Sequence, residues 1–207
     1  MEETVVVLKR VKGQATQHLN TDERTVTWVM TTGEDVDRDG ETVDPRGVNY
    51  DRFLLNPVVC WQHETEKIPI GRILGKPWLE EIGSGTDYEE VGGPKQTALL
   101  GRVQFDTDPY SDSIYQKVKR GFIKGGSISF VPTDKPSRNK EGGNHYGATD
   151  LLEFSICTIG SNHRALATHK KCLKNPDGTC KTTCPCKAIR KGTGYVAVVG
   201  GVLPRTA

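Results

Sequence analysis

Three short segments of this sequence carry side chains that could act together in acyl transfer. Asn56-Pro57-Val58-Val59-Cys60-Trp61-Gln62-His63 sets a histidine at the end of an apolar run, just before a polar turn. Histidine can gain and lose a proton near neutrality and so serve as a general base, although a lone histidine is just as often a surface or hydrogen-bonded core residue. In Gly125-Gly126-Ser127-Ile128-Ser129-Phe130, strand alternation sends Ile128 and Phe130 to one face and both serines to the other. The paired glycines let the backbone approach a neighbour or a ligand closely. In Leu152-Glu153-Phe154-Ser155-Ile156-Cys157, Leu152, Phe154 and Ile156 form an apolar face opposite Glu153, Ser155 and Cys157. A carboxylate in such a strand needs a partner if it is buried, and a histidine that becomes cationic during catalysis is one.

Together the segments supply a nucleophile, a base and an orienting acid. The expected geometry has one imidazole nitrogen of His63 within hydrogen-bond reach of Ser127 Oγ and the Glu153 carboxylate beside the other. A cysteine hydrolase using Cys157 or Cys60 with His63 is the alternative chemistry, since Cys157 shares the face of Glu153.

The elements that must position these groups are mostly strands. Runs 4–10, 24–32, 58–63, 69–77, 98–106, 127–132 and 151–160 are rich in β-branched or apolar residues and are bounded by polar turns. Asp108-Pro109 is an N-cap followed by proline in the first turn, and Ile114, Val118 and Phe122 follow at a spacing of four, as on one helix face. Residues 48–57 form a short helical turn stopped by Pro57, and 164–173 a short basic helix. Residues 81–96 read as a polar hairpin tip or loop, and 133–149 as an exposed, disordered loop. Asp35-Val36-Asp37-Arg38-Asp39-Gly40 resembles a calcium loop, but its twelfth position is Arg46 where a bidentate glutamate is required, so it is read as a charged turn. Residues 195–204 are a last strand or an unplaced hydrophobic peptide. These elements predict a mainly β fold with a few helices, a closed or nearly closed antiparallel β-barrel with helices outside, or else a β-sandwich.

Composition narrows the class. The chain has 207 residues, 35% of them hydrophobic, with 23 glycines and 11 prolines, which suits one turn-rich domain with a short appendage. No run of 18 apolar residues is present and the first residues lack a signal-peptide layout, so the protein is expected to stay where it is made, without a membrane span. The net charge of +2 conceals a basic tail: residues 164–207 carry nine Lys/Arg and one acidic side chain, leaving the remainder net negative. Cys172, Cys180, Cys184 and Cys186 cluster in that tail with C-x7-C-x3-C-x-C spacing, which makes zinc a weakly supported option there; no other cofactor is expected. Cys60 and Cys157 read as buried thiols. The domain reading is 1–170 as the β domain and 171–207 as a basic cysteine-rich tail.

At the three segments the sequence resembles the tailed-phage prohead proteases. NPVVCWQHETEKIPIGRI is similar to the family's histidine segment, GGSISF to its nucleophile strand, and LLEFSICTIGSNHRALA to the strand that follows; DRDGETVDPRG upstream is also similar. The resemblance spans roughly residues 24–168. It implies a serine endopeptidase with catalytic Ser127, His63 and Glu153, with scaffold, capsid precursor and its own tail as substrates. It implies action inside the assembling prohead in the host cytoplasm, with homo-oligomerisation possible and nucleic acid not expected as a partner. EFSICTIG is similar to a strand of the herpesvirus assemblins, where a histidine stands at the position of Glu153. That similarity implies an assemblin-like barrel surrounded by short helices, with an oxyanion site at Ser161 and Asn162, the latter lining the catalytic cleft. The sequence departs from the phage pattern at Ser129, where glycine is usual, and at Gly160-Ser161-Asn162, where Pro-Ala-Asn is usual. A non-catalytic capsid or scaffold component that binds metal or nucleic acid through its tail is the reading from another functional class.

Overall fold

The computed structural model describes residues 23–168. The expected strands at 4–10 and 195–204, the boundary at residue 170 and the four tail cysteines lie outside the described residues. Twelve strands are present: β1 (Thr25–Thr32), β2 (Thr42–Val43), β3 (Val48–Asn49), β4 (Val58–Trp61), β5 (Gly71–Ile73), β6 (Trp78–Ile82), β7 (Gln96–Phe105), β8 (Gly125–Pro132), β9 (Ser137–Arg138), β10 (Asn144–Tyr146), β11 (Thr149–Cys157) and β12 (Ala167–Thr168). One α-helix, α1 (Pro109–Lys119), lies between β7 and β8.

Nine strands make one sheet along the path β12-β1-β7-β5-β4-β11-β3, with β6 on β7 and β8 on β11. The fold is therefore mainly β, as expected, but the sheet has two ends and is not a closed barrel. Residues 165–167 narrow the gap: Gly126 N donates to Ala165 O at 2.7 Å and Ala167 N to Lys124 O at 2.7 Å, while Val29 N donates to Leu166 O at 3.0 Å. Nor is the sheet wholly antiparallel, because β11 runs parallel to both β3 and β4. That parallel pairing puts Ser155 level with Cys60, and so carries the end of β4 to the C-terminal end of β11. A smaller sheet joins β2 to β10 and β9, and the latter two lie within the segment expected to be a disordered loop. The Asn139 side chain organises it, donating to Gly40 O at 2.8 Å and accepting from Gly143 N at 2.9 Å. Composition alone does not reveal such side-chain ties.

The main core lies under one face of this sheet. Trp28, Met30, Val59, Ile70, Val103, Phe154 and Ile156 are buried there, and Ile128 and Phe130 pack against it. A second cluster on the other side of β1 and β7 takes Val29, Ile82, Ala98 and Leu100 together with Tyr88 and Val91, so the 81–96 tip is partly core and not merely polar. In α1, Asp108 accepts from the N–H groups of Tyr110 and Ser111, and Ile114 and Val118 are buried. Phe122 instead lies exposed, because Gly121 takes a φ of 78° just past the helix end and leaves Phe122 off the helical face. Residues 164–168 hold β12 and no helix, contrary to the expectation for that stretch.

A bulge corrects the face assignment in β11. Phe130 pairs with Leu151 and Ser129 with Glu153, so two residues of β11 oppose one step of β8. Leu151 takes the core place expected for Leu152, which is exposed. Beyond the bulge the alternation is regular, with Phe154 and Ile156 inward and Glu153, Ser155 and Cys157 on the other face.

The two glycines that open β8 are required by packing. A Cβ at Gly126 would stand 2.6 Å from the Phe154 ring and 3.0 Å from Trp28, and one at Gly125 would stand 2.7 Å from Cys157 O. Gly126→Ala should therefore cost about 1–3 kcal/mol in denaturant unfolding. Gly147→Ala, where nothing lies within 4 Å of the added carbon, should stay within about 0.5 kcal/mol of wild type. Equal losses in the two variants would contradict this packing account.

Candidate active site

His63 sits in a turn that its own residue type does not favour. Gln62 and His63 both adopt left-handed backbone angles, with φ of 54° and 61°. Such a conformation costs a non-glycine residue about 1–3 kcal/mol and persists only where surroundings impose it. Here Gln62 N donates to Ile156 O at 3.1 Å, Glu64 N to Trp61 O at 3.0 Å, and His63 N to Ser155 Oγ at 3.0 Å. The turn swings the imidazole back over the polar face of β11.

There the ring meets Glu153. His63 Nδ1 lies 2.6 Å from Glu153 Oε1, and Ser155 Oγ donates to Glu153 Oε2 at 2.7 Å. Glu153 is only 3% exposed, so its charge depends on these partners. Burial alone would raise its pKa, but hydrogen bonds from His63, Ser129 and Ser155 outweigh that and hold it below the ordinary carboxylate value. The His63 pKa is pushed up to about 10, first by the adjacent Cys157 sulfur and next by the Glu153 carboxylate. The Cys157 contact does not meet the geometry of a formed hydrogen bond, and only an ionised sulfur would hold an imidazolium strongly. The carboxylate is therefore the firmer partner.

The hydroxyl beside the ring is that of Ser129, at 3.1 Å from Nδ1. The expected bond between His63 and Ser127 is not formed. Ser129 and Glu153 meet the same ring nitrogen, Nδ1. Ser127 stands two pairs further along β8, opposite Ser155. Ser127 borders a small cleft of about 40 Å³ together with Ser161, Asn162, the carboxylates of Asp35, Asp37 and Glu41, and the apolar Ile128 and Phe130; neither His63 nor Glu153 lines it. Asn162 is fixed there by donation from Nδ2 to Thr32 Oγ1 at 2.8 Å and acceptance from Arg164 N at 2.9 Å. Cys60 and Cys157 are buried free thiols, as read from the sequence, and burial raises the Cys60 pKa.

Ser155 was not singled out as a site residue, although its place two positions after Glu153 already put it on the same face. The contacts of Arg38 with the turn at 160–161 carry no local signal, because they join residues 122 apart. Among the described residues no group of three or more His, Cys, Asp or Glu side chains could hold a metal ion, and no helix is long and apolar enough to cross a membrane. Neither a protein-family model, nor a curated protein, nor a solved structure matches this chain.

The pair's contribution to stability depends on pH at both ends. The lowered Glu153 value gives a share present above pH 4.5 and lost as pH falls below it. The raised His63 value gives a share complete below pH 6.5 and lost as pH rises towards about 10. The gap in thermal midpoint between wild type and His63→Ala should be widest between those two values and should narrow on either side. A gap that does not change with pH would contradict the pairing.

Proposed function

We propose that this protein is a serine endopeptidase of the prohead-maturation kind, with Ser127 as nucleophile, His63 as base and Glu153 as orienting acid. The observation that carries the reading is the buried Glu153 carboxylate bound to an imidazole that comes from 90 residues away in the chain. A carboxylate paired in this way fixes the ring's tautomer and stabilises its cation, which are the two tasks of the acid in such a catalytic group. The His63 side chain is 39% exposed, so the edge not facing Glu153 can meet a substrate.

In the proposed reaction Ser127 Oγ attacks a peptide carbonyl carbon while His63 takes its proton. The C–N bond then breaks as His63 returns that proton to the leaving amine, giving an acyl-enzyme. Water, activated by the same imidazole, releases the acid product and regenerates Ser127. The backbone N–H groups of Ser161 and Asn162 face the developing oxyanion, a contribution of about 3 kcal/mol per donor in studied proteases. Ser129 and Ser155 keep the Glu153 carboxylate in place. An assemblin-like arrangement of the sheet, scaffold and capsid precursor as substrates, self-cleavage, and action inside the prohead belong to the same proposal and rest on the sequence resemblance.

A cysteine hydrolase is the second reading, favoured by the Cys157 sulfur beside the His63 ring. Against it, Cys157 is 1% exposed and would need the site to open before it met a substrate, whereas Ser127 lines a cleft. Ser127→Ala should reduce self-cleavage by several orders of magnitude, while Cys157→Ala and Ser129→Ala keep it within roughly tenfold of wild type. Loss with Cys157→Ala and retention with Ser127→Ala would move the nucleophile to the thiol.

The pH profile separates the readings as well. A serine mechanism needs neutral His63, so the rate should rise with pH along a limb set by the raised value, about 10. Glu153→Gln should move that limb to lower pH and lower the plateau by about 10²–10⁴-fold. A thiolate–imidazolium pair would instead be active already at neutral pH, and a flat profile from neutral to alkaline pH would contradict the serine reading.

A further inference from the structure

A trans peptide holds its carbonyl and the following N–H on opposite sides, so fixing the direction of one fixes that of the other. In the turn after β11 two consecutive carbonyls are held by one residue. Gly160 O accepts from the Arg38 guanidinium, and Ser161 O accepts from the same Nη1 at 3.2 Å and from the Arg38 backbone N–H at 3.2 Å. Among the described residues none of the peptide bonds is cis. The N–H groups of Ser161 and Asn162 are therefore turned away from Arg38, and among the described residues neither has an acceptor.

The turn is also pressed against the serine strand. A Cβ at Gly160 would stand 2.3 Å from Gly126 O, leaving no room for a side chain between them. Ser161 Oγ donates to Asp39 Oδ2 at 2.5 Å, which ties the next residue of the same charged turn to it. Ser127, Ser161 and Asn162 then border one cleft, with Asp35, Asp37 and Glu41 among its other walls, so the two N–H groups are its counterweight to negative charge. Two unpaired donors beside a hydroxyl, aimed by a cation behind them, make a preorganised anion-binding site of the kind that stabilises charge developing on an oxygen.

We propose that Arg38 is a positioning residue for the oxyanion site: it holds the Gly160 and Ser161 carbonyls so that the Ser161 and Asn162 N–H groups face the oxygen of the group attacked by Ser127. This inference rests on the reading of Ser127 as nucleophile. Without Arg38 the two peptide units can rotate, and the donors no longer share one direction. The effect falls on the chemical step and leaves the association of substrate unchanged.

The experiment measures labelling of the full-length protein by an alkyl fluorophosphonate, with the modified residue located by mass spectrometry. In this reaction the Ser127 Oγ–P bond forms, the P–F bond breaks, fluoride leaves, and His63 takes the serine proton. The phosphoryl oxygen occupies the oxyanion position. Arg38→Ala should lower the maximal labelling rate by roughly 10–100-fold with the half-saturating probe concentration unchanged, and Arg38→Lys, which keeps the charge but offers a single donor group, should fall between. Thermal midpoints identify which variants fold, and Arg38→Lys decides the matter by the same comparison if Arg38→Ala does not. Equal maximal rates in wild type and folded variants, or a change in half-saturation alone, would overturn the role of Arg38. Wild-type protein left unlabelled at Ser127 would instead remove the nucleophile assignment, and this inference with it.

Discussion

A carboxylate buried at the centre of a strand sets the terms for the rest of this molecule. Unpaired, Glu153 would carry a desolvation cost of several kcal/mol. It is met by His63 on one oxygen and by Ser155 on the other. Those two partners are themselves joined, since the Ser155 hydroxyl accepts from the His63 backbone N–H. One serine thus links the strained turn that carries His63 to the carboxylate that binds its ring. The left-handed angles at Gln62 and His63 accompany this closure, which brings the imidazole onto the carboxylate.

The sheet makes the closure possible by flanking β11 on both sides. β4 runs parallel to it and delivers His63, while β8 runs antiparallel and delivers Ser127 and Ser129. The inward face of the same three strands is fastened to the core by Val59, Phe154 and Ile156 and by the packing of Ile128 and Phe130. Side-chain alternation then leaves the polar residues on the outer face, held by a rigid apolar layer beneath them. The Gly125-Gly126 pair serves this layer. It brings β8 close enough to Trp28, Phe154 and the turn at 160–162 for Ser127 and that turn to border a shared cleft.

Much of this was legible in the sequence where the signal was local. Strand alternation placed Ser127 with Ser129 and Glu153 with Ser155 and Cys157, and the Asp108-Pro109 cap marked the helix start. The bulge at Leu151–Leu152 was not legible, because both residues are leucine and either satisfies an inward position. Phe122 fitted a helical spacing, but the helix ended before reaching it. The parallel pairing of β4 with β11 and the reach of Arg38 to the turn at 160–161 depend on residues about a hundred positions apart, which periodicity does not register. For the same reason the sequence pointed to Ser127 on His63, whereas the ring nitrogen bound by Glu153 also meets Ser129.

The account stands on the claim that Glu153 holds His63 as a strongly basic imidazole. Its most direct measurement is a pH titration of the His63 ring by nuclear magnetic resonance, in wild type and in Glu153→Gln. The account predicts a wild-type midpoint raised above 6.5 and a lower midpoint when the carboxylate is removed. A His63 that titrates near 6.5 in both proteins would contradict it.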